Sequence, residues 1–498
     1  MYKEVPYVSL GKIVRGGLWL YLSSLTNNIL GFFYWMIISA IGGSTVLGIT
    51  TAIVGFSSMI TSILGLGIFV GIQRYIGLFL GEKNYEKIRV YFWTSLYFRT
   101  IINVTIGTIL IILSQYNIML FNLKPEMLRI AGLIVLINSF TIFTTVPLSF
   151  IDTKINFLSN TVSQLTKFVT GITLVYLGFG WIGAVTGSIM YATLNIIILG
   201  IYTLKHIYPL KTFDIKALKD VVSAGISSWL PGMIAMVTQQ TGILAVFGTS
   251  GASETGYYYV ANSISNVVIM LGSSMLGLLL PLLSSMKDGR KRANWRALRL
   301  SLAIMTPAIL FIILYPWLPL SLLGKEYIAA SIILIVLSIK GIPASIIGAI
   351  NSLIYSYGLY KYILILGLFQ NIPSMILYSI LVPKYHGLGA ALSVTMGSII
   401  GLIVALVLAR KIQYRIIWKE IIYILTPPSL IGAFCFFTKL NWILGGILIL
   451  TVSAFSYIKL GIITKKDLKE ISSSIIPEPQ LKRIIPYVKP LLDLIYGF

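Results

Sequence analysis

Long apolar stretches recur along nearly the whole chain and are separated by short polar segments that carry most of the charge. An α-helix needs about 20 apolar residues to cross the hydrocarbon core of a bilayer. The pattern therefore predicts an all-α, polytopic membrane protein with about fourteen transmembrane helices. The predicted spans are 16–40, 45–72, 91–113, 128–150, 156–177, 180–203, 220–247, 257–284, 297–320, 327–352, 362–382, 387–409, 419–437 and 441–459.

Composition excludes the soluble classes of protein. Hydrophobic residues make up 57% of the 498 residues and charged residues only 11%, against about 25% charged residues in an ordinary soluble chain. A soluble domain could not bury so much apolar surface, because its exterior must be largely polar. The single cysteine and the two distant histidines exclude a disulfide framework and a histidine-based metal site, so we expect no metal and no other cofactor.

The basic residues are divided unequally between the loops, and this division predicts the orientation. The net charge of +23 would suggest nucleic acid as a partner in a soluble protein. If the N-terminus is cytoplasmic, however, 30 Lys and Arg residues fall on the cytoplasmic side and 5 on the other, as the positive-inside rule requires. We therefore expect a plasma-membrane protein with both termini in the cytoplasm, whose positive charge contacts anionic membrane lipids and no nucleic acid.

The chain also contains an internal repeat. Gly48 matches Gly256 at a spacing of 208 residues, and Gln164 matches Gln370 at a spacing of 206. Each repeat holds six predicted helices, an even number, so the two repeats have the same orientation, as in transporters built from two similar halves. The expected domains are six-helix lobes at 1–210 and 211–412, two additional helices at 413–460 and a cytoplasmic tail at 461–498 that suits the inner membrane surface.

Three basic residues lie inside predicted spans, whereas all 15 acidic residues lie in tails, loops or helix ends. An unpaired cation in hydrocarbon costs at least about 2.5 kcal/mol and marks a candidate functional site. Without an intramembrane carboxylate, Lys167, Lys340 and Arg99 must face water, lipid headgroups, carbonyl groups or an anionic substrate. An anionic substrate would supply the missing charge, so these three residues are candidate substrate-binding residues.

Each of these cations also has a purely structural interpretation. Lys340 could donate to carbonyl groups freed by Pro343, because a proline removes a helix hydrogen bond. Lys167 could contact Gln164 in a wet crevice, and the long side chain of Arg99 could reach the cytoplasmic interface. The sequence leaves both interpretations open.

Further candidates are polar residues near the cytoplasmic mouth and on the first helix of each repeat. Arg15 and Arg74 could attract an incoming anionic substrate, although the orientation of the chain also explains their position. Amide side chains could hydrogen-bond hydroxyl groups of a substrate, or could instead join one helix to another. The candidate amides are Asn27, Asn28, Gln239 and Gln240, and the candidate rings for stacking on a substrate are Trp19 and Trp229.

A series of short segments carries a resemblance to a known family. The segments are Ser62–Gly67 followed by Gln73–Tyr75, Thr255–Pro281, Leu323–Tyr327, Tyr357–Lys361 and Val382–Ala391. In order and spacing they resemble polysaccharide flippases of the Wzx type, a branch of the MOP exporter superfamily, over roughly residues 10–460. The resemblance implies two lobes around a central cavity that moves a lipid-linked oligosaccharide across the membrane by alternating access. It also implies glycan-assembly enzymes as partners.

Other functions stay open at this point. A multidrug exporter of the same superfamily would share the fold, but a proton- or sodium-coupled exporter normally has an acidic residue inside a lobe, and this chain has none. A flippase for a peptidoglycan precursor would also share the fold, and the sequence alone distinguishes it poorly from an oligosaccharide flippase. A membrane-embedded glycosyltransferase or polymerase needs positioned acid–base groups, and the short outward loops carry only Glu126, Glu254 and Glu326. We therefore expect a transporter without catalytic residues and not an enzyme.

The orientation can be tested by cysteine labelling after Cys435 is replaced. We expect Lys83→Cys and Arg292→Cys to be protected from a membrane-impermeant thiol reagent in intact cells, because both positions lie in strongly basic loops. Lys384→Cys is the control, since its loop is predicted to face outward and should be labelled. Labelling of position 83 or 292 from outside would contradict the fourteen-helix topology.

Overall fold

A computed structural model describes residues 10–210, 212–277 and 288–464, together with Leu283 and Met286. The regular elements of these residues are helices. They are α1 (Leu10–Ile63), α2 (Ile68–Gly81), α3 (Tyr85–Gln115), α4 (Pro125–Ile137), α5 (Thr145–Ser149), α6 (Thr153–Leu174), α7 (Gly180–His206), α8 (Ile215–Gly277), α9 (Arg290–Leu314), α10 (Trp317–Ser321), α11 (Ser331–Ile339), α12 (Gly341–Ser356), α13 (Tyr360–Lys411), α14 (Trp418–Phe437) and α15 (Trp442–Lys459). Short 3₁₀ turns occupy Asn138–Thr144 and Lys325–Ala330, and a π turn occupies Val175–Phe179.

Ten helical segments of the described chain are long and apolar enough to cross a membrane, and they contain from 18 to 59 residues. The four longest each contain an interior break with positive φ, at Gly43, Gly180, Gly251 and His386. Counted on either side of these breaks, the ten segments make fourteen helical stretches, which is consistent with the predicted number of spans. The prediction of an all-α, multi-pass membrane protein is confirmed.

Two of the breaks have the same backbone geometry, and the number of residues between them equals the spacing of the predicted repeat. Gly43 has φ 73° and ψ 179°, and Gly251, 208 residues later, has φ 84° and ψ −174°. Positive φ favours glycine, which has no Cβ to clash with the carbonyl group. Two residues after each break, Thr45 Oγ1 and Ser253 Oγ are hydrogen-bonded at 2.9 Å, so equivalent positions of the two repeats meet directly.

The other two breaks match each other in the same way. Gly180 has φ 53° and ψ −132°, and His386, 206 residues later, has φ 53° and ψ −130°. The second position carries a side chain in a conformation that normally favours glycine, and its ring Nδ1 lies 2.7 Å from Ser250 Oγ. The N–H of Gly387 donates to Glu254 Oε1 at 3.0 Å. These two side-chain contacts stabilise a break that glycine alone forms in the first repeat.

The two repeats cross at very short distance just beyond the first pair of breaks. A Cβ placed on Gly48 would lie 1.8 Å from the carbonyl oxygen of Ala252, and one on Gly256 would lie 2.2 Å from that of Ser44. The contact is reciprocal, because Gly48 faces Ala252 and its equivalent Gly256 faces Ser44, which is the equivalent of Ala252 in the first repeat. Small residues permit such close helix packing in membranes, where helices gain little from leaving an equally apolar lipid.

One carboxylate caps this crossing. Glu326, in the 3₁₀ turn before α11, accepts hydrogen bonds from the Ser44 N–H at 2.9 Å and from Ser44 Oγ at 3.2 Å. The break at Gly43 leaves that backbone N–H without a helical partner, and a charged acceptor is the strongest replacement. Glu326 therefore has a structural role at the break within α1.

An apolar core in the same part of the chain positions α2 against α3. Ile68, Ile72 and Ile76 recur at the spacing of one helix face and are fully buried, together with Phe92 of α3 and Val146 of α5. Because lipid is as apolar as these side chains, close van der Waals packing and not removal from water favours the contact. The core holds the loop between α2 and α3 at one end of the bundle.

By packing, the chain divides into two compact units. The first contains the chain up to Val260 with Leu323–Ala329 and Asn371–Ser393, and the second contains Ala261–Leu322, Ala330–Gln370 and the chain from Val394 onward. One boundary between the two units falls inside α8. The domain bounds at 1–210, 211–412 and 413–460 and the central cavity stay predictions, and residues 465–498 of the predicted tail lie outside the described residues.

The glycine crossing generates a stability prediction. Gly48→Ala and Gly256→Ala should each lower the melting temperature in detergent by several degrees, because the added methyl group overlaps a backbone carbonyl and overpacking costs about 1–3 kcal/mol. Gly31→Ala is the matched control, since a Cβ there meets nothing within 4 Å and alanine is the better helix former. Equal melting temperatures for all three variants would contradict the tight crossing.

Candidate functional site

The ammonium group of Lys167 lies over aromatic rings. Lys167 is half-buried on α6, and its Nζ is 4.4 Å from the ring centroid of Tyr34 and 4.8 Å from that of Trp35, both on α1. Trp35 in turn meets Tyr259 edge to face at 5.5 Å. No ion pair involves Lys167 among the described residues, so cation–π attraction, worth about 2 kcal/mol or more when desolvated, is what holds the charge.

The ring of Tyr34 is held in a narrow space between α6 and α7. Its hydroxyl donates to the Ala184 carbonyl at 2.6 Å, and the side chain is 1% exposed. A Cβ on Gly171 would lie 2.4 Å from Tyr34 Oη, and one on Gly187 would lie 2.9 Å from it. The two glycines, on α6 and α7, therefore make the room through which the phenol reaches its acceptor. The ring under Lys167 is rigid for this reason.

A ladder of amides extends from Lys167 along α6. Gln164, one turn before Lys167, donates to the amide oxygen of Asn27 on α1. Asn160 contacts three further groups: Ser23 Oγ at 2.8 Å, Tyr191 Oη at 3.2 Å and Asn195 Nδ2 at 3.0 Å. Asn27 thus joins α1 to α6, as the structural interpretation of the amides anticipated, while Asn28 bonds only Ser24 on its own helix at 3.4 Å.

Lys340 has a different partner in the second unit. It lies at the junction of α11 and α12, where its Nζ donates to Asn262 Oδ1 at 2.9 Å. Asn262 is 9% exposed, and Lys340 is half-buried. The acceptor is therefore a side chain of α8 and not a carbonyl group freed by Pro343. A neutral amide satisfies one of the three ammonium donors and leaves the positive charge uncompensated.

Arg99 is buried inside the first unit. It is 7% exposed on α3, and its Nη2 donates to Thr141 Oγ1 at 2.9 Å and to the Asn138 carbonyl at 3.4 Å. Its Nε is buried without a hydrogen-bond partner. The guanidinium group fastens α3 to the 3₁₀ turn after α4, where backbone carbonyls are free to accept.

The remaining candidates are dispersed. Arg74 is exposed on α2, and the side chain of Arg15 lies outside the described residues. Gln239 is exposed on α8, whereas the Oε1 of Gln240 is buried without a partner, 2.8 Å from where a Cβ on Gly55 would lie. Contacts within the described chain therefore join Lys167 to the Asn27 region through α6, but they do not link Arg74, Gln239 or Gln240 to it.

Both candidate tryptophans already contact protein. Trp19 packs against Phe157 with ring centroids 5.1 Å apart. The indole N–H of Trp229 donates to the Ser62 carbonyl at 2.8 Å, beside the irregular turn between α1 and α2. Their rings are engaged in helix contacts, so the aromatic groups nearest to a candidate cation are Tyr34 and Trp35.

Comparison with known families identifies the chain. The family model described as polysaccharide biosynthesis protein matches residues 51–332, more than half of the sequence. The chain belongs to the polysaccharide biosynthesis protein family. This membership agrees with the resemblance carried by the sequence segments. Comparison with curated proteins finds no match.

Solved structures with the same fold are transporters by their titles. "Lipid II flippase MurJ, inward closed conformation" aligns with a TM-score of 0.74 and 17% identity over 89% of this chain and 99% of that chain. An inward-facing multidrug resistance MATE family transporter of the MOP superfamily aligns with a TM-score of 0.61 and 15% identity over 80% and 97%. A MOP superfamily transporter from Pyrococcus furiosus aligns at 0.54 and 17% over 80% and 95%. At these identities the comparisons confirm the fold of the superfamily.

The arrangement in this polysaccharide biosynthesis family member is suited to holding an anion. An ammonium group has three N–H donors, and Lys167 uses none of them on an acceptor among the described residues. Lys340 uses one, on Asn262. The described residues contain no cluster of His, Cys, Asp and Glu that could hold a metal ion. Each lysine therefore offers charge and free hydrogen-bond donors to an acceptor that the described part of the chain does not supply.

The sequence argument missed the immediate partners of both lysines. Tyr34 and Trp35 form part of an aromatic run in the first span, and Asn262 is an amide within an otherwise apolar stretch of the eighth. An amide in hydrocarbon is itself a signal, because it must be hydrogen-bonded. Its pairing with Lys340, 78 residues away, depends on how the helices pack.

The Lys340–Asn262 contact can be tested by a double-mutant cycle. Asn262→Leu removes the acceptor and should lower the stability in detergent by about 1–3 kcal/mol, because the ammonium is left without its bond. In the Lys340→Met background the same change should cost much less, since no donor remains to be satisfied. Equal losses in the two backgrounds would show that the hydrogen bond does not contribute.

Proposed function

We propose that this protein is a flippase that moves a lipid-linked oligosaccharide, carried on a polyprenyl phosphate, from the cytoplasmic to the outer leaflet by alternating access. The proposal rests on the family membership, on the shared fold and above all on one observation. That observation is the pair of membrane-embedded lysines, Lys167 and Lys340, which have no acidic partner among the described residues. The cost of keeping a cation in hydrocarbon makes such residues functional by default.

Lys167 would bind the phosphate without losing its aromatic contacts. Tyr34 and Trp35 attract the ammonium through their ring faces and leave its N–H groups free. A phosphate oxygen accepts from these donors in a charge-assisted hydrogen bond, which is roughly twice as strong as a neutral one. The rings thus keep the lysine stable in the absence of substrate and keep it available for an anion.

Lys340 would act as the corresponding cation of the second unit. Its bond to Asn262 fixes the direction of the side chain and leaves two donors free. Because Lys167 and Lys340 belong to different units, each could hold the anion at a different stage of transport. Alternating access of this kind requires that the protein has two arrangements and that the substrate stabilises the change between them.

The other candidates would serve the sugar and the approach of the substrate. Asn28 and Gln239 are exposed amides, and the unpaired Oε1 of Gln240 is a free acceptor for a hydroxyl group. Arg15 and Arg74 would attract the phosphate at the cytoplasmic mouth through long-range charge. Arg99 and Asn27 already bond protein groups, so we assign them a positioning role beside the binding residues.

The same proposal includes orientation and partners. Both termini would lie in the cytoplasm of a plasma-membrane protein, and glycan-assembly enzymes would supply the substrate on that side. A multidrug exporter remains the second candidate, because a MATE transporter shares the fold. The absence of acidic residues from the predicted spans favours an anionic substrate over a cationic drug.

Neutral replacement of the lysines tests the proposal. Lys167→Gln and Lys340→Gln should each lower the flipping of a fluorescent lipid-linked oligosaccharide in proteoliposomes about tenfold or more, because a charged hydrogen bond contributes about 1.5–3 kcal/mol. Lys→Arg at either position should retain part of the rate, since the charge stays while the geometry changes. The rate is measured as loss of fluorescence to a membrane-impermeant quencher.

Lys361→Gln provides the matched control for a lost positive charge. Lys361 is exposed in the first turn of α13, so its replacement should leave the flipping rate unchanged. Parent rates in both Lys167→Gln and Lys340→Gln would refute the cationic mechanism. Flipping of a cationic drug analogue but not of the lipid-linked sugar by the parent protein would favour the exporter.

A further inference from the structure

A cavity of about 670 Å³ opens at the C-terminal end of α13, in the second unit. Its wall is formed by the last turn of α13 and by the short connection to α14. The lining includes Arg410, Gln413, Tyr414, Arg415 and Trp418. Small-molecule sites commonly occupy 300–1,000 Å³ and present a few convergent polar groups. This cavity is far along the chain from Lys340 and has no part in the proposed transport of the substrate.

The helix end that forms the cavity has an unusual residue at its turn. The N–H of Gln413 bonds the Arg410 carbonyl at 2.9 Å, and that of Tyr414 bonds the Ala409 carbonyl at 2.8 Å, which is the Schellman pattern of a helix terminus. The residue with left-handed conformation in this pattern is usually glycine, but here it is Gln413 with φ 55°. The reversal directs Tyr414 back against the helix and places Arg415 near Arg410.

Both arginines of the cavity are uncompensated. Arg410 and Arg415 are exposed, and neither takes part in an ion pair or hydrogen bond of its side chain among the described residues. The neighbouring charges are directed elsewhere: Lys411 lies 6.0 Å from the Tyr362 ring, Lys419 lies 5.6 Å from the Tyr423 ring, and Glu420 accepts from Trp295 at 2.9 Å and pairs with Arg299 at 3.6 Å. Among the described residues, the lining of the cavity therefore carries two positive charges and no carboxylate.

Tyr414 supplies a buried donor that the described residues do not use. The side chain is only 3% exposed, and its hydroxyl has no hydrogen-bond partner in the described part of the chain. A buried hydroxyl without a partner costs about 1–3 kcal/mol. Burial also raises the pKa of this phenol, so it stays protonated and able to donate. An acceptor that enters the cavity would recover this lost hydrogen bond.

We propose that the cavity binds the phosphate headgroup of an anionic membrane lipid, which contacts the guanidinium groups of Arg410 and Arg415 and accepts from the Tyr414 hydroxyl. Arginine forks match phosphate oxygens in two-point contacts. Trp418, 50% exposed at the start of α14, has the amphipathic ring that sits at the headgroup level of membranes. The positive-inside pattern places this end of α13 at the cytoplasmic leaflet, where anionic lipids collect and basic pockets between helices bind their headgroups.

Lipid-dependent stabilisation of the full-length protein tests this site. In a neutral detergent, added phosphatidylglycerol should raise the melting temperature of the parent protein, whereas phosphatidylcholine and inorganic phosphate at the same concentration should not. The Arg410→Gln/Arg415→Gln variant should lose more than half of that shift, because both charges are removed. Tyr414→Phe deletes only the unpaired hydroxyl, so it should fold like the parent and bind phosphatidylglycerol severalfold more weakly.

Lys411→Gln is the matched control, because it removes a neighbouring charge that faces Tyr362 and does not line the cavity. It should keep the full shift, and native mass spectrometry should show one fewer retained phosphatidylglycerol on the double-arginine variant than on this control. The proposal is overturned if the double-arginine variant keeps the parent shift or if phosphatidylcholine stabilises equally. A shift with inorganic phosphate that equals the shift with phosphatidylglycerol would overturn the assignment to a lipid.

Discussion

Every charge and every backbone polar group in the hydrocarbon region must find a partner that replaces water, because an unsatisfied group there costs several kcal/mol. This constraint explains the helices, which bond their own backbone groups. It also explains where the helices stop: at the break in α1 the freed Ser44 N–H is taken by Glu326, and at the break in α13 the Gly387 N–H is taken by Glu254. Glu326 and Glu254 thus serve the backbone at these two breaks.

The same constraint makes the three embedded cations informative, because the structure satisfies them to different extents. Arg99 bonds a hydroxyl and a carbonyl within one unit and has become a structural fastening. Lys340 has one neutral acceptor, and Lys167 has ring faces only. The fewer hydrogen bonds a cation makes to the described residues, the better a candidate it is for binding an anionic substrate, and Lys167 is the most available of the three. A transport site must stay stable after one substrate has left and before the next one binds. A contact that holds the ammonium group and keeps its N–H donors free meets this need.

The internal repeat accounts for the rest of the architecture. Two copies of one helical pattern give two pairs of equivalent breaks, and the pair at Gly43 and Gly251 brings the copies into contact through Thr45 and Ser253. Equivalent positions can meet only at a local symmetry axis, so glycine is needed on both sides of the crossing. The two embedded lysines depart from this symmetry. Lys167 has no lysine at the equivalent position of the second repeat, and Lys340 has none in the first.

The sequence by itself determined the class of protein and predicted the fourteen spans, the repeat and the three embedded cations. These features follow from local composition, because about 20 apolar residues are needed per crossing and a charge within such a stretch is visible directly. Tertiary structure alone decided which side chain each cation meets. Tyr34 and Lys167 are 133 residues apart, and Asn262 and Lys340 are 78 apart, so no local pattern links them. The fate of Arg99 and the unpaired hydroxyl of Tyr414 likewise depend on which helix faces pack together, and packing in lipid is set by shape complementarity that periodicity does not encode.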